Sequence, residues 1–490
     1  MDRPEDYPHP VAGMIEVHET HISRVYLAGP FAYKLKKPVK TSFLDYSSIS
    51  LRKKACEEEV RLGRRYADDL YLGVVPIVQT GDRLVVHSSQ TLDGDSLIVD
   101  YAVQMHRFED DAILSQRLDH RQVTDTDILD LATTTARFHQ HAAAIQGSFE
   151  SFSKTALHFA IDNLDVISEH PHPSIDRKIE WLRCWTRDTW EQLAATNLER
   201  FLAGRVRECH GDLHCGNIVQ WSGRWILFDG IEFNPDLSRI DVIDDAAFLM
   251  MDLYARGRPD LAHLWINAYL EATGDYDGLH VLRWYLVYRS MVRAKVAAMR
   301  EHQQESDPQA MRASLRELER YTQLATEFAT SQQATELWIT HGLSGSGKST
   351  QSLRWIKSHR GIRIRSDVER MRLFGPGQYD TSANQATYER LEQLAQTILD
   401  TGYPVIVDAT FLQKAQRTRL LRLAQNQGIP FHILDCHADH ETLRLRIADR
   451  LALGKDPSEA DLSVLEKQIQ SHEPLDPDER TLAIQADTGE

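Results

Sequence analysis

Residues 336–350 read ELWITHGLSGSGKST, and this stretch decides the fold of the C-terminal third of the chain. An apolar run suited to a buried strand leads into a glycine-rich turn, and a helical pattern follows at once. Gly342, Gly347, Lys348 and Ser349 fill the pattern GxxxxGK[ST] in the strand–turn–helix context that this motif requires. The stretch therefore predicts a phosphate-binding loop between a strand and a helix.

The chemistry expected of this loop follows from its residue types. Glycines let backbone N–H groups turn toward phosphate oxygens, and the following helix adds its positive end. Lys348 is expected to bridge the β- and γ-phosphates of ATP, and Ser349 to ligate Mg²⁺. A plain Gly/Ser-rich turn is the alternative, which the complete motif disfavours. The residues predicted to bind the nucleotide are Gly342, Gly345, Gly347, Lys348, Ser349 and Thr350.

Short apolar strands alternate with helical segments after this loop. The strands GIRIR, YPVIVDA and FHILDC each precede a helix, which predicts a parallel, doubly wound sheet. Ligands bind at the carboxyl ends of such strands. Asp367, directly after GIRIR, is placed there to accept a proton from an acceptor hydroxyl, or alternatively to cap a helix. Asp408, in YPVIVDA, is placed to support Mg²⁺ or its water shell.

Three arginines follow on the helix after FHILDC: Arg444, Arg446 and Arg450. Arginines in this position commonly form a lid that neutralises a transferring phosphoryl group. A solvated helix face is an equally good interpretation. Of the three, Arg450 is the predicted nucleotide-binding residue.

A second motif, CHGDLHCGN, occupies residues 209–217. His210, Asp212, Leu213 and Asn217 reproduce the H-x-D-L-x-x-x-N layout of kinase catalytic loops. Asp212 is predicted to hold and deprotonate an acceptor hydroxyl, and Asn217 to ligate Mg²⁺. Asp229, twelve residues later, is in the right order for a second metal-binding carboxylate. Zinc is the competing interpretation of the cysteines and histidines here, but structural zinc sites normally use two separated ligand pairs.

The N-terminal part of the chain reads as a small β-rich lobe with one helix. Strand-like stretches HISRVYLAG and FAYKLKKPV meet at a Gly-Pro turn, a helical segment follows at about 50–66, and strands are predicted at YLGVVPIV, DRLVVHS and SLIVDYAVQMHRF. From about 110 to 205, and again from 240 to 329, apolar residues recur at helical spacing. The small polar stretch 329–335 is the predicted linker. The two apolar stripes comprise Ile128, Leu131, Thr135 and Phe138, and Trp284, Val287, Met291, Ala294 and Ala298.

The segment HGDLHxxN resembles the hallmark of aminoglycoside phosphotransferase-like kinases, and the resemblance extends over about residues 1–325. It implies a bilobal, protein-kinase-like fold whose small lobe carries an ATP-binding lysine and a helix glutamate. The segment FAYK indicates Lys34 as this lysine, with a solvated basic run as the alternative. The glutamate is one of three consecutive residues, of which Glu59 is favoured. The sequence departs from the family at FDGIEF, where Glu232 is a candidate to share the metal role of Asp229. Asp241 resembles the aspartate that braces the catalytic loop.

The C-terminal motifs are similar to those of P-loop kinases that include polynucleotide 5′-hydroxyl kinases, zeta-type toxins and chloramphenicol phosphotransferase. The matching pieces are GLSGSGKST, the step from Ser366 to Arg370, and VDATF with Arg417 downstream. This resemblance implies phosphoryl transfer to a hydroxyl with Asp367 as the base. The order of the two parts resembles bacterial fusion proteins named bifunctional aminoglycoside phosphotransferase/ATP-binding proteins.

Together these patterns predict an α+β kinase-like domain at 1–328 followed by an α/β P-loop kinase domain at 336–490. The small lobe is expected to span about 1–108 and the large lobe about 109–328. The predicted function is transfer of the γ-phosphoryl group of ATP, with Mg²⁺, to hydroxyls of small molecules at two nucleotide sites. The alternatives are a nucleic-acid or nucleotide 5′-hydroxyl kinase in the C-terminal domain, or one domain that only binds ATP as a regulator.

Composition sets limits on partners and location. A chain of 490 residues is too long to form one compact core. Its net charge of −16 argues against nonspecific nucleic-acid binding, although a local basic groove is compatible with that total. Five scattered cysteines indicate reduced thiols. No apolar run approaches the roughly 20 residues that span a bilayer. The expectation is a cytoplasmic enzyme with no membrane partner, whose oligomeric state stays open.

Overall fold

The computed structural model describes residues 1–40, 44–88, 97–169, 172–303, 307–331, 334–378, 380–453 and 461–486. Its contacts divide the chain into two compact units. Unit 1 comprises Met1–His170 and Thr186–Asp252, and unit 2 comprises Pro171–Trp185 and Leu253–Glu490. Within the described ranges, no helix is both long and apolar enough to cross a membrane.

Unit 1 begins with a six-stranded antiparallel sheet in the order β1-β2-β3-β6-β4-β5. Helix α1 begins after Ser48, whose side chain accepts from the backbone N–H of Leu51, and it packs on β4 and β6. The predicted β-rich lobe with one helix is therefore confirmed. The elements are β1 (Glu16–Glu19), β2 (Ser23–Ala28), β3 (Phe31–Lys36), α1 (Ile49–Gly63), β4 (Tyr71–Thr80), β5 (Arg83–Val86) and β6 (Leu97–His106).

The remainder of unit 1 is helical, with two short antiparallel strand pairs, β7 with β10 and β8 with β9. Helix α3 begins with a capping box between Thr124 and Asp127, and its predicted apolar stripe is buried. Helices α5 and α8 each run from one unit into the other. The elements are α2 (Leu114–Asp119), α3 (Asp125–His141), α4 (Phe149–Ser168), α5 (Asp176–Gln192), α6 (Ala194–Leu202), β7 (Val206–Glu208), β8 (Ile218–Trp221), β9 (Arg224–Leu227), α7 (Pro235–Ser238), β10 (Arg239–Asp241) and α8 (Val242–Ala255).

Unit 2 contains three long helices, α9 (Pro259–Thr273), α10 (Leu279–Gln303) and α11 (Pro308–Thr330), followed by the P-loop fold. The second predicted apolar stripe lies on α10, where all five of its residues are buried, and α10 packs along α11. Helix α9 packs on β12 and α12 of the P-loop fold (bounds below), which explains why contacts group these helices with it. The predicted linker at 329–335 follows the end of α11, and its residues 332–333 lie outside the described ranges.

The P-loop fold is a five-stranded parallel sheet in the order β12-β13-β11-β14-β15. The predicted doubly wound parallel sheet is confirmed, and the fifth strand, β15, escaped prediction because it is short and half-exposed. The elements are β11 (Leu337–His341), α12 (Lys348–His359), β12 (Ile362–Arg365), α13 (Ser366–Phe374), α14 (Thr381–Asp400), β13 (Val405–Asp408), α15 (Lys414–Gln427), β14 (Phe431–Asp435), α16 (His440–Leu453), α17 (Leu462–Ser471), α18 (Pro477–Thr481) and β15 (Ala483–Gln485).

A buried ion pair ties the C-terminal segment to this sheet. The guanidinium of Arg417, on α15, donates to both carboxylate oxygens of Glu479, on α18, at 2.8 and 2.9 Å. It also donates to the backbone carbonyls of Phe411, Glu473 and Pro474. Burial alone would raise the pKa of Glu479, but hydrogen bonds from Arg417 outweigh it and lower that pKa. Arg417, which carried part of the family resemblance, therefore has a structural role.

We expect Glu479→Gln to lower the free energy of unfolding by about 3 kcal/mol, because it leaves the buried Arg417 guanidinium without its carboxylate. Denaturant unfolding monitored by circular dichroism would measure the loss. The difference in unfolding free energy between the variant and wild type should become smaller below about pH 4.3, the ordinary pKa of glutamate, as the wild-type carboxyl takes up a proton. Glu466→Gln, which removes a half-exposed pair with Arg444, is the control and should change stability by less than about 1 kcal/mol. Equal effects of the two substitutions would contradict the assigned role.

Candidate active sites

The loop between β7 and β8 brings Asp212 and Asn217 together in unit 1. The side-chain nitrogen of Asn217 donates to a carboxylate oxygen of Asp212 at 2.9 Å and to its backbone carbonyl at 2.9 Å. Gly211, with φ of 83°, makes the sharp turn before Asp212, and a Cβ there would lie 2.6 Å from the carbonyl oxygen of Leu237. The Asp212 carboxylate keeps about a third of its surface exposed. It is therefore held in one orientation and still open to a substrate.

Asp245, on α8, braces this loop. Its two carboxylate oxygens accept from the backbone N–H groups of His210, at 2.7 Å, and Gly211, at 2.9 Å, and His139 lies 3.2 Å away. The prediction that Asp241 has this role is wrong. Asp241 instead accepts two hydrogen bonds of 2.7 Å from the buried Arg200. The two aspartates are four residues apart in an Asp-rich stretch, Asp241 at the end of β10 and Asp245 on α8, so sequence spacing did not separate them.

Asp229 follows β9 and lies next to the catalytic loop, because the backbone N–H of Phe228 donates to the carbonyl of Asn217 at 3.0 Å. Its backbone is left-handed, with φ of 60°, which is uncommon for a non-glycine residue and is typical of functional sites. The hydroxyl of Tyr71 accepts from its backbone N–H at 3.0 Å. Its side chain is 44% exposed. The donor set of Asn217 and Asp229, one amide and one accessible carboxylate, suits Mg²⁺.

The small lobe supplies the lysine of this site. Lys34, on β3, donates to Glu59, on α1, at 2.9 Å and also pairs with Asp229. Burial alone would lower the pKa of Lys34, but the carboxylates of Asp229, Glu59 and Glu232 outweigh it and hold the pKa well above its usual value. Of the three candidate glutamates in the sequence, the structure directs Glu59 toward the lysine. Glu58 instead pairs with Arg61 at the surface.

Glu232 lies with a second buried lysine. It pairs with Lys36, accepts from the hydroxyl of Tyr46 at 2.8 Å, and is almost completely buried. Lys36 also pairs with the second carboxylate oxygen of Glu59, at 2.5 Å. Burial would lower the pKa of Lys36, but Glu232 and Glu59 raise it overall. Glu59 thus connects the two lysines, and these contacts make Glu232 a charge partner of Lys36 from the small lobe.

Two residues of the competing zinc interpretation have other partners. The Cys209 thiol points to the carbonyl of Ile240, and His210 contacts the carbonyl of Phe228. Within the described part of the chain, the one group with metal-ligand spacing is His139, Cys209 and Asp245. In that group Asp245 already accepts backbone hydrogen bonds, and burial raises the pKa of Cys209 well above its usual value, which disfavours a thiolate ligand.

In unit 2 the loop between β11 and α12 has the geometry of a phosphate cradle. Gly342, Gly345 and Gly347 all have positive φ, and a Cβ at Gly342 would lie 2.2 Å from the carbonyl oxygen of Cys436. The Lys348 ammonium donates to the carbonyls of Gly342, at 2.9 Å, and Leu343, at 2.7 Å. Burial lowers the pKa of Lys348, and Asp408 offsets part of that effect. A phosphate group would supply the buried ammonium with a counter-charge.

A cavity of about 410 Å³ opens in front of this loop. The described residues around it are strongly polar and include more cations than carboxylates. Its walls contain every P-loop residue predicted to bind the nucleotide except Gly342, together with Asp367, Asp408 and Arg450. The cationic residues of the lining are Lys348, Arg365, Arg370, Arg446, Arg450 and Lys467.

Two carboxylates lie at the ends of neighbouring strands in this cavity. Asp408, at the end of β13, accepts from the hydroxyl of Ser352 at 3.0 Å and lies 3.7 Å from the guanidinium of Arg365. Asp367, at the start of α13, is 3.4 Å from Arg370, which also donates to Asn384. The hydroxyl of Ser349 and the carboxylate of Asp408 are the oxygen donors that fit Mg²⁺ here.

Sequence analysis named Arg446 as a lid candidate but left it out of the predicted nucleotide-binding residues, and it missed Gln468 in the same cavity. Arg446 lies 3.5 Å from the carbonyl of Gly345, while Arg444 pairs with Glu466 outside it. A helix face explains the difference, because positions 446 and 450 are four residues apart and share one side. Gln468, on α17, accepts from the backbone N–H of Ser344 at 2.9 Å. No motif marks α17, so the sequence alone gave no signal for it.

Comparison with known proteins finds a family model, relatives and solved structures that match parts or most of this chain. The family model described as "AAA domain" matches residues 337–475. The Mycobacterium tuberculosis protein named "Uncharacterized protein Rv2004c" is 30% identical over 472 residues, which cover 90% of this chain and 88% of the relative. A choline/ethanolamine kinase family protein from Mesorhizobium loti matches at 11% identity, with 64% of this chain and 93% of that chain covered and a TM-score of 0.36. A gluconokinase from Sinorhizobium meliloti matches at 18% identity, with 33% and 86% covered and a TM-score of 0.26.

Both TM-scores lie below 0.5. The kinase-like fold and the P-loop fold, with their motifs, are those of a phosphotransferase. The mycobacterial relative aligns with nearly all of both proteins. The chain is therefore a fusion of a protein-kinase-like fold with a P-loop kinase fold, and it belongs to the same family as that mycobacterial protein.

Proposed function

We propose that the chain transfers the γ-phosphoryl group of ATP to hydroxyl groups at two independent sites, one in each compact unit. The observation that carries the proposal is that each unit has its own complete set of a lysine, a candidate base and candidate metal-binding groups. In unit 1 these are Lys34, Asp212, Asn217 and Asp229, and in unit 2 they are Lys348, Asp367, Ser349 and Asp408.

In unit 1, Asp212 is the base. It accepts the proton of the acceptor hydroxyl, whose oxygen attacks the γ-phosphorus while the bond to the β–γ bridging oxygen breaks and ADP leaves. Asn217 holds the Asp212 carboxylate at 2.9 Å, so the base needs no reorientation. Lys34, paired with Glu59, would contact the phosphates of ATP once it releases Asp229. Asn217 and Asp229 would hold Mg²⁺, which neutralises charge on the triphosphate.

In unit 2, the backbone N–H groups of the loop and Lys348 would bind the β- and γ-phosphates. Asp367 is the base, and Arg370, 3.4 Å away, keeps its carboxylate oriented. Arg446 and Arg450, on the face of α16 that lines the cavity, would neutralise charge on the transferring group. Ser349 and Asp408 would hold Mg²⁺ or its water shell.

The acceptors we propose are small molecules that carry a hydroxyl group. A nucleotide or a 5′-hydroxyl nucleic-acid end is the second candidate for unit 2 alone. The observation that favours it is the excess of cations around Asp367 in the cavity, where Arg365 and Arg370 both lie within the lining. The net charge of −16 favours the first candidate.

We expect Asp212→Ala and Lys348→Ala each to remove one ATP-dependent activity and to leave the other. Loss of the base should slow turnover in unit 1 by about 10²–10⁴-fold. Loss of the lysine should slow turnover in unit 2 by about 10²-fold or more, because the phosphates lose a buried counter-charge. A metabolite screen with radiolabelled ATP, using wild type and both variants, would measure these losses. A single substitution that abolished every activity would show that the two sites are not independent.

The contacts of Asp229 and Glu232 lead to a second expectation. Asp229→Asn should raise the half-saturating Mg²⁺ concentration of the Asp212-dependent activity about tenfold, because it removes an accessible carboxylate from the metal position. Glu232→Gln should leave that concentration within about twofold and lower stability by about 1–3 kcal/mol, because Lys36 loses one of two carboxylates. Magnesium titration and thermal unfolding would separate the two effects. An equal rise in Mg²⁺ requirement for both variants would give Glu232 a metal role.

The two candidate acceptors can be separated by competition. We expect the Lys348-dependent activity to label a hydroxyl-bearing metabolite and to be unaffected by an excess of a single-stranded oligonucleotide with a 5′-hydroxyl end. Transfer of label to the oligonucleotide in wild type, and its loss in Lys348→Ala, would instead favour the second candidate. A 5′-phosphorylated oligonucleotide is the matched control, since it binds through the same backbone charges but has no 5′-hydroxyl acceptor.

A further inference from the structure

Helix α9 covers the open edge of the P-loop sheet. Strand β12 is an edge strand, so its outer N–H and C=O groups have no strand partner among the described strands. The side-chain amide of Asn267, on α9, replaces that partner: it donates to the carbonyl of Gly361 at 2.9 Å and accepts from the N–H of Arg363 at 2.7 Å. Asn267 is 2% exposed. Helix α9 is thereby fixed in register against β12.

One helical turn after Asn267, Glu271 reaches two side chains of the same strand. Its carboxylate accepts from Arg363 at 3.0 Å and from Arg365 at 3.2 Å. The two arginines are two residues apart on β12, so their side chains leave the same face of the strand. The backbone carbonyl of Glu271 also accepts from Arg372, on α13. A single residue of α9 therefore contacts the strand that precedes Asp367 and the helix that carries it.

The two arginines continue from Glu271 to the candidate metal position. Arg363 lies 4.0 Å and Arg365 3.7 Å from the same carboxylate oxygen of Asp408. Arg363 also donates to the carbonyl of Ser349 at 3.4 Å and to the hydroxyl of Ser352 at 3.3 Å. Both guanidiniums are nearly buried, at 6% and 10% exposure, where charges are screened weakly.

We propose that Glu271 is a positioning residue of the P-loop site, which shares the positive charge of Arg363 and Arg365 and so leaves Asp408 available to a divalent cation. The inference rests on the proposed function of unit 2. Two buried arginines beside one carboxylate would bind it tightly and compete with Mg²⁺ for it. The carboxylate of Glu271 on their other side reduces that competition. The segment that carries Glu271 lies before the predicted domain boundary, so the working P-loop site extends beyond its own motif-bearing sequence.

The test is Glu271→Gln in the full chain, with binding of a fluorescent ATP analogue titrated against Mg²⁺. The signal of the P-loop site is the part that Lys348→Ala removes. We expect the half-saturating Mg²⁺ concentration to rise about tenfold, as when partners that orient metal ligands are lost, and nucleotide binding without metal to stay within about twofold. A residue that only stabilised the fold would lower binding with and without Mg²⁺ alike.

A second variant, Glu271→Gln with Arg363→Gln, restores the charge balance around Asp408. It should return the Mg²⁺ requirement to within about threefold of wild type. Glu317→Gln is the matched control, since it removes a half-exposed ion pair with Arg300 between α10 and α11, and it should have no effect.

Three outcomes would overturn the inference. These are an unchanged Mg²⁺ requirement in Glu271→Gln, a double variant no better than the single one, and failure of both variants to fold, as judged by circular dichroism. A wild-type protein with no Lys348-dependent binding of the nucleotide would instead overturn the proposed function of unit 2 and the inference with it.

Discussion

Buried positive charge, and the carboxylates that must accompany it, organise both compact units. A lysine or arginine removed from water is stabilised by a partner of opposite charge, and removal of that partner is costly. In unit 1, Lys34 and Lys36 are held between Glu59, Asp229 and Glu232. In unit 2 the same condition applies to the arginines of β12 and α15. The candidate site of unit 1 lies where Asp229 reaches solvent beside Lys34, and that of unit 2 lies where Arg365 and Asp408 line the cavity.

Site chemistry and structural pairing are therefore joined in the same residues. Asp229 is both the partner of Lys34 and the accessible carboxylate of the candidate metal position. Asp408 likewise lies between Ser352 and two arginines while it lines the cavity. A nucleotide that enters either site brings its own negative charge. Its phosphates would take the place of the present carboxylate partners of the cationic side chains. In unit 1 this arrangement would keep the buried Lys34 paired before and after the nucleotide arrives.

Much of the fold was predictable from local patterns. The P-loop sheet, the β-rich lobe and both helical stripes follow from apolar periodicity and turn residues, which act over a few positions in the sequence. Asp212, Asn217 and Lys348 belong to motifs in which the spacing between residues is fixed. The sequence therefore also predicted which other residues of the same motif lie beside them. The choice between two nearby aspartates was wrong. Asp245 braces the loop and Asp241 does not, because the chain changes from β10 to α8 directly after Asp241, and no pattern in this Asp-rich stretch shows which carboxylate faces the loop.

Contacts between segments distant in sequence were beyond such reasoning. Nothing in α9 marks Asn267 or Glu271 as neighbours of β12, because their partners lie about 94 residues later. Gln468, on α17, likewise reaches the P-loop from more than 100 residues away in the sequence. The predicted boundary between 328 and 336 marks where the motif-bearing sequence changes, whereas contacts group α9 with the P-loop sheet. The boundary predicted from sequence motifs therefore differs from the boundary between the units defined by contacts.

The amide of Asn267 on β12 has a consequence for any attempt to divide this chain. A fragment that started after α11 would lose the side chain that occupies the outer backbone groups of Gly361 and Arg363. Its sheet would then offer an open template for strand addition by another copy, a common origin of self-association and fibre formation. By covering this edge strand, helix α9 prevents polymerisation through it.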